Sequence, residues 1–391
     1  MKKTALYVAG LLGVLSLAVA CENDDTDFSN YTLVGTSSAD EDADDDTVGT
    51  DTIYIRYSNG GATITDDANG YVSHSGADVT VSDTASLRGM VLVLSGSASD
   101  GSLLVYRSKK YTIVLNGLSL TNADGSAINN QCSKSLYVEC ADGTVNTLAD
   151  GVTYAPQDYD QKGTLFSEGQ VYFTGTGQLT VTANGKNAIA SDDFVTIEDG
   201  AIVRCNVKST GSNGIKVNDG MFVNGGRLTI DVASDGGRGI RNDARTVITG
   251  GTVSITTTGD CLIENVDGVA DTTSAACIKC DSIFTMSGGT VTLNSTGDGG
   301  KGIRCNENIE VSGGTLTVTT TGDNDEGKPK ALKSDTGIII SGGYLKASVE
   351  KSWACDNGTD SEDPADHLTI VGTPMYTPVI EKRIVEVEFW K

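Results

Sequence analysis

Six segments of this chain repeat one plan, and that plan leaves few folds open. They read FVTIEDGAIVRCNV, MFVNGGRLTIDV, TVITGGTVSITT, IFTMSGGTVTLN, IEVSGGTLTVTT and IIISGGYLKASV. Each is a short alternating run, a glycine turn and a second alternating run, rich in the β-branched residues that strands favour. The second turn position falls at Gly200, Gly226, Gly251, Gly289, Gly314 and Gly343, in steps of 26, 25, 38, 25 and 29 residues. A third short run closes each unit: AIASD, GIKVN, GIRND, CIKCD, GIRCN, ALKSD and, offset by one residue, WACDN. Three short strands in about 25 residues, repeated without helices, are the mark of a solenoid. A sandwich would need tight two-residue hairpins, which the pattern lacks. The expected fold is therefore all-β, a single right-handed parallel β-helix with coils ~4.8 Å apart.

The rest of the chain is read as caps and leader. Residues 51–358 form the β-helix domain with its N-terminal cap, and residues 359–391, ending RIVEVEFWK, form a C-terminal cap over the open end. Residues 1–20 have the look of an export signal: Lys2 and Lys3, then an apolar stretch too short for a comfortable membrane span. Leu17-Ala18-Val19-Ala20-Cys21 resembles a bacterial lipobox, with Cys21 as the residue to be acylated. Residues 21–50 carry ten carboxylates and no Lys or Arg, which suits a disordered acidic tether. The expected location is the outer membrane, exposed at the cell surface through the lipid anchor, as a monomer.

Charge and composition exclude several functions. The formal charge is −24; without Lys2, Lys3 and the ten tether carboxylates it is still about −16. Nucleic acid is not an expected partner of so acidic a body. Only His74 and His367 are present, which argues against histidine zinc sites and a Ser-His-Asp triad.

Certain motifs resemble a known family. YTIVLNGLSLTNADGSAI, NTLADGVTY, LFSEGQVYFTGTGQLTV and the repeated GIRxxxxIxxSGGTLTV resemble the carbohydrate-binding β-helix family of bacterial secreted proteins, whose fold is similar to that of pectate lyases. The resemblance runs from about Asp51 to Asn357. It implies a right-handed β-helix, binding to plant-type polysaccharides, and bound calcium.

Stacking the third runs gives columns. The Ile303 column must point inward, so Arg304 points outward. Inward beside it run Ser191, Val217, Asn242, Cys280, Cys305, Ser334 and Cys355. Buried free thiols are the expectation there, while Cys132 with Cys140, or Cys261 with Cys277, stay open as disulfides on an exported protein. Trp353 is assigned to the Ile column and hence to the core.

The next column, Asp192, Asn218, Asp243, Asp281, Asn306, Asp335 and Asp356, reads as a ladder of turn-capping Asx residues. Asp235, Asp260, Asp298 and Asp323 form a second acidic column before the strand, where stacked carboxylates and turn carbonyls suit calcium. The outward cations Lys216, Arg241, Lys279, Arg304 and Lys333 are candidate contacts for the carboxylates of acidic sugars, or else a face paired with its own acids. Tyr154 and Tyr159 are expected to be exposed and to stack on sugar rings.

The function these residues suggest is non-catalytic binding of plant-type or acidic polysaccharides with calcium support. The alternatives are a calcium-dependent lyase of pectate-lyase type, which needs a base near calcium, and a structural adhesin or spacer.

Overall fold

The structure is a computed structural model and describes residues 49–86, 88–266, 269–324 and 327–390. Cys21, the export signal and nearly all of the tether lie outside the described residues. The described chain forms a parallel β-helix of about 11 turns, nearly all-β. Three strands make one coil, and each strand pairs in parallel with its counterparts in the coils above and below.

One coil shows the logic. Asn187–Ser191 leads through a short turn to Phe194–Ile197, and a glycine turn leads on to Ile202–Val207. The first of these strands heads a run of Asn213–Val217, Arg238–Asn242, Ala276–Cys280, Lys301–Cys305 and Lys330–Ser334. In that sheet Ile189, Ile215, Ile240, Ile278, Ile303 and Leu332 stand in register. All are fully buried. Removing each such side chain from water stabilises the fold by about 1.5–3 kcal/mol. The sheet that contains Ile202–Val207 contributes matching inward stacks, such as Val203, Leu228, Val253, Val291 and Leu316.

The glycine turns recur because the coils nearly touch there. Gly200, Gly226, Gly251, Gly289, Gly314 and Gly343 all have positive φ, from 63° to 83°. A Cβ on Gly251 would lie 2.2 Å from the Gly225 carbonyl oxygen of the preceding coil.

At the start, Thr50–Ser58 and Gly61–Thr65 form an antiparallel hairpin, and Val72–Ser75 with Asp78–Asp83 forms another. At the end, Ile384–Glu388 runs antiparallel to Tyr344–Val349 and pairs the last exposed sheet edge.

The last coil departs from the register expected of it. Trp353 pairs with Lys330 and Cys355 with Leu332, so Cys355, not Trp353, occupies the apolar column. Trp353 sits half-buried at the corner, its ring 4.3 Å from that of His367 and under the Lys382 ammonium. The end cap supplies these partners, which no interior coil has.

Cys280 and Cys305 are joined by a disulfide between consecutive coils, with Cα atoms 4.9 Å apart, in place of the free thiols expected. Coil spacing brings the two into range. Cys140, Cys205, Cys261, Cys277 and Cys355 are free and buried, and Cys132 is buried as well.

Candidate functional site

The outward cations form the column that alternation requires. Lys216, Arg241, Lys279, Arg304 and Lys333 are in register across five coils. Like charges at this spacing repel unless they are neutralised. The neighbouring Asx column does this.

Lys216 reaches Asp243 at 3.2 Å, and Arg241 bridges Asp243 at 2.7 Å and Asp281 at 2.8 Å. Lys279 pairs with Asp281 and bonds Asn306 at 3.0 Å. Lys333 lies between Asp335 at 3.2 Å and Asp356 at 3.4 Å. Burial alone would raise the Asp281 carboxyl, but hydrogen bonds from Lys279 and Arg241 hold it below the usual range. Burial pushes Lys279 down, against the pull of Asp281.

Arg304 differs. Where its coil would offer an acid in the Asx column, it has Asn306. Among the described residues its guanidinium has no ion-pair or hydrogen-bond partner, and its Nε is buried.

Of the Asx column, Asp356 caps its turn, accepting the Gly358 N–H at 3.0 Å, while in three other coils the capping role belongs to another column. Ser191, Asn242 and Ser334, which point inward, each accept the N–H two residues on: Asp193 at 3.1 Å, Ala244 at 2.8 Å and Thr336 at 3.1 Å. The outward acids Asp243, Asp281 and Asp335 are held by cations instead, because their side chains lie on the same face as the cation column.

The second acidic column is also used structurally. Asp235 Oδ1 accepts the Asp260 N–H at 2.9 Å, Asp260 that of Asp298 at 2.8 Å, and Asp298 that of Asp323 at 2.7 Å. Asp235, Asp260 and Asp298 therefore each tie their coil to the next with one oxygen. The three carboxylates that converge most closely among the described residues are elsewhere, at Asp160, Glu168 and Asp192. Lys162 already places its ammonium there, 2.8 Å from Asp160 and 2.5 Å from Asp192.

Tyr154 and Tyr159 are not exposed platforms; both are half-buried. The Tyr154 hydroxyl donates to Asp150 at 2.8 Å, and Lys186 covers one face of its ring at 4.5 Å. Burial pushes both phenols up.

The aromatic row that the chain does present lies on another sheet. Tyr137 stacks on Tyr172 at 5.0 Å, and Tyr172, Phe194 and Phe222 follow edge to face at 5.6 Å. All four are half-exposed. The signal was present in SLYVEC and QVYFTG, where alternation turns the tyrosine outward, but the ring spacing needed the fold.

The 38-residue step contains an antiparallel β-hairpin, Leu262–Val266 with Val269–Thr273, at the corner before the cation sheet. Thr272, Thr273 and Ser274 line a small cavity of about 70 Å³ together with Arg238, Lys279 and Arg304.

Comparison with known proteins agrees with this architecture. The model of a family described as carbohydrate-binding domain-containing protein matches residues 75–238 and 236–327. A protein of that description from Acetivibrio thermocellus is 33% identical over 113 residues, 28% of this chain and 40% of the relative. The match thus spans less than half of that relative's length. A solved structure titled as the polysaccharide lyase-like protein from C. thermocellum, gadolinium derivative, superposes with a TM-score of 0.53 at 25% identity. That match covers 66% of this chain and 96% of the other. The family match spans well over half of the chain, and the chain belongs to the family of carbohydrate-binding domain-containing proteins.

Proposed function

We propose that this protein is a non-catalytic polysaccharide-binding protein of the cell surface, acting as a monomer, and that an extended acidic glycan docks along the cation-bearing sheet. The observation that carries the reading is the register of five cations over five coils on a protein of net charge −24. A glycan laid along the helix axis meets one cation per coil. Four of the five are already paired with the protein's own carboxylates, so each contributes little, about 0.2–1 kcal/mol. Affinity then comes from the sum, and it weakens with salt. Plant-type acidic polymers such as polygalacturonate are the substrate class proposed. Retention of the full chain in gels containing that polymer tests the reading; migration unchanged across acidic and neutral polymers would sink it.

A lyase reading has one observation in its favour. Burial pushes the Lys301 ammonium down to about 8, near the range of a working base. Yet that ammonium is sealed, donating to the Gly299 carbonyl at 2.6 Å and the Ser274 hydroxyl at 3.3 Å. The binding reading is therefore preferred.

Calcium enters the proposal at the Asp235–Asp323 ladder. Each of the first three acids gives one oxygen to the next coil and keeps the other for a ligand, and a cation between coils offsets the repulsion of stacked carboxylates. Millimolar calcium should then raise the melting midpoint relative to chelator, as any ligand of the folded form does, and Asp298→Ala should shrink that rise. Identical curves with calcium and chelator would remove calcium from the account.

The lipid anchor is proposed at Cys21, on the lipobox-like residues that precede it. Cys21→Ala should release the protein from membranes; continued membrane association of that variant would contradict the anchor.

A further inference from the structure

The cavity beside the hairpin is where the cation sheet departs from its own rule. Along the column each cation meets an acid of its own or the next coil, except Arg304, whose coil carries Asn306. Arg238, one column over, likewise has no side-chain hydrogen bond or ion pair among the described residues. The nearby acids are committed elsewhere, Asp281 to Arg241 and Lys279, Asp243 to Lys216 and Arg241. Both free guanidinia line one cavity of about 70 Å³ with Lys279, and the hairpin residues Thr272, Thr273 and Ser274 close its side. Burial, then Arg241 and Arg304, lower the Arg238 guanidinium to about 10, as expected of a cation lacking a counter-charge. Holding two unpaired guanidinia together costs stability unless an anion joins them.

We infer that this cavity is a carboxylate subsite, in which Arg238 and Arg304 clamp the carboxylate of one uronate residue beside the wall formed by Thr272, Thr273 and Ser274. The cavity, about 70 Å³, has room for a carboxylate group. Guanidinium forks match carboxylates in planar, charge-assisted pairs. The inference rests on the polysaccharide reading and sharpens it: one coil of the sheet selects for charge, and the others supply weak contacts. The hairpin that completes the subsite is the longest interruption of the repeat.

Melting of the full chain with free galacturonate or with galactose tests the pocket alone. Wild type should gain a concentration-dependent rise with galacturonate and none with galactose. Arg304→Gln and Arg238→Gln should each weaken that response at least about tenfold, the scale of one charge-assisted pair. Arg204→Gln, on another sheet and paired with Asp231, should leave it unchanged. Arg304→Lys keeps the charge and should restore only part of it, which guards against misfolding of the glutamine variant. No acid-specific rise in wild type, or a full rise in both glutamine variants, overturns the subsite. An equal rise with inorganic sulfate overturns its assignment to carboxylates. Gels with polygalacturonate separate the two levels. A galacturonate response without polymer retention leaves the subsite standing and defeats the polysaccharide reading. Polymer retention that survives in both glutamine variants does the reverse.

Discussion

Gly251→Ala is expected to cost far more stability than Gly117→Ala, although the two glycines have nearly the same backbone, φ 74° and 73°. The left-handed conformation alone costs an alanine about 1–2 kcal/mol, and both variants incur it. They differ in what the new methyl meets. At Gly117 nothing lies within 4 Å. At Gly251 the Cβ would sit 2.2 Å from the Gly225 carbonyl oxygen and 2.5 Å from its carbon, both backbone atoms of the coil beneath. Relief requires the two coils to part, yet Thr252 N–H donates to Gly226 at 2.9 Å and Thr290 N–H to Gly251 at 2.9 Å across these same interfaces. Denaturant unfolding of both variants checks this. Equal losses would mean that the glycine pairs serve only the turn and not the stacking of coils.

Arg107→Met should be the other severe change. The Arg107–Asp83 ion pair is almost wholly buried, each side chain 1% exposed, and joins two consecutive coils near the N-terminal end. Arg107 also donates from Nε to the Lys109 carbonyl at 3.1 Å and from a terminal nitrogen to the Arg88 carbonyl. Asp83 accepts the Ser86 N–H at 3.1 Å. Removing the guanidinium leaves a carboxylate buried without its counter-charge, a change that typically costs about 3–5 kcal/mol. The double variant Asp83→Leu with Arg107→Met should recover much of that loss, since no lone charge remains. A single variant that melts like wild type would show that water or another cation reaches Asp83.

The inward and outward faces were legible in the sequence because alternation has only two answers. Once the Ile303 column was placed inside, Arg304 had to point out, and the structure has both so. Register at the end of the stack was not legible. WACDN carries two small or apolar residues that fit the inner column, and the choice of Cys355 depends on His367 and Lys382 arriving from the cap to receive Trp353. Residue type marks the Asx column as turn caps, and Asp356 is one, but the caps of three other coils are Ser191, Asn242 and Ser334, one position earlier and inside. Residue type alone does not say which side of the turn an oxygen faces. The empty partner of Arg304 was visible as Asn306 among aspartates. Its meaning needed Arg238 and the hairpin, which come together only in three dimensions.

The central claim is that a non-catalytic face of this solenoid holds acidic polysaccharide. Affinity electrophoresis of the full chain in polygalacturonate, repeated on the same samples with absorbance of unsaturated product, tests it most directly. Retention should fall with salt, a neutral galactan should give weak or no retention, and absorbance should not rise. Release of unsaturated product would contradict the non-catalytic reading, and equal migration in all polymers would contradict polysaccharide binding itself.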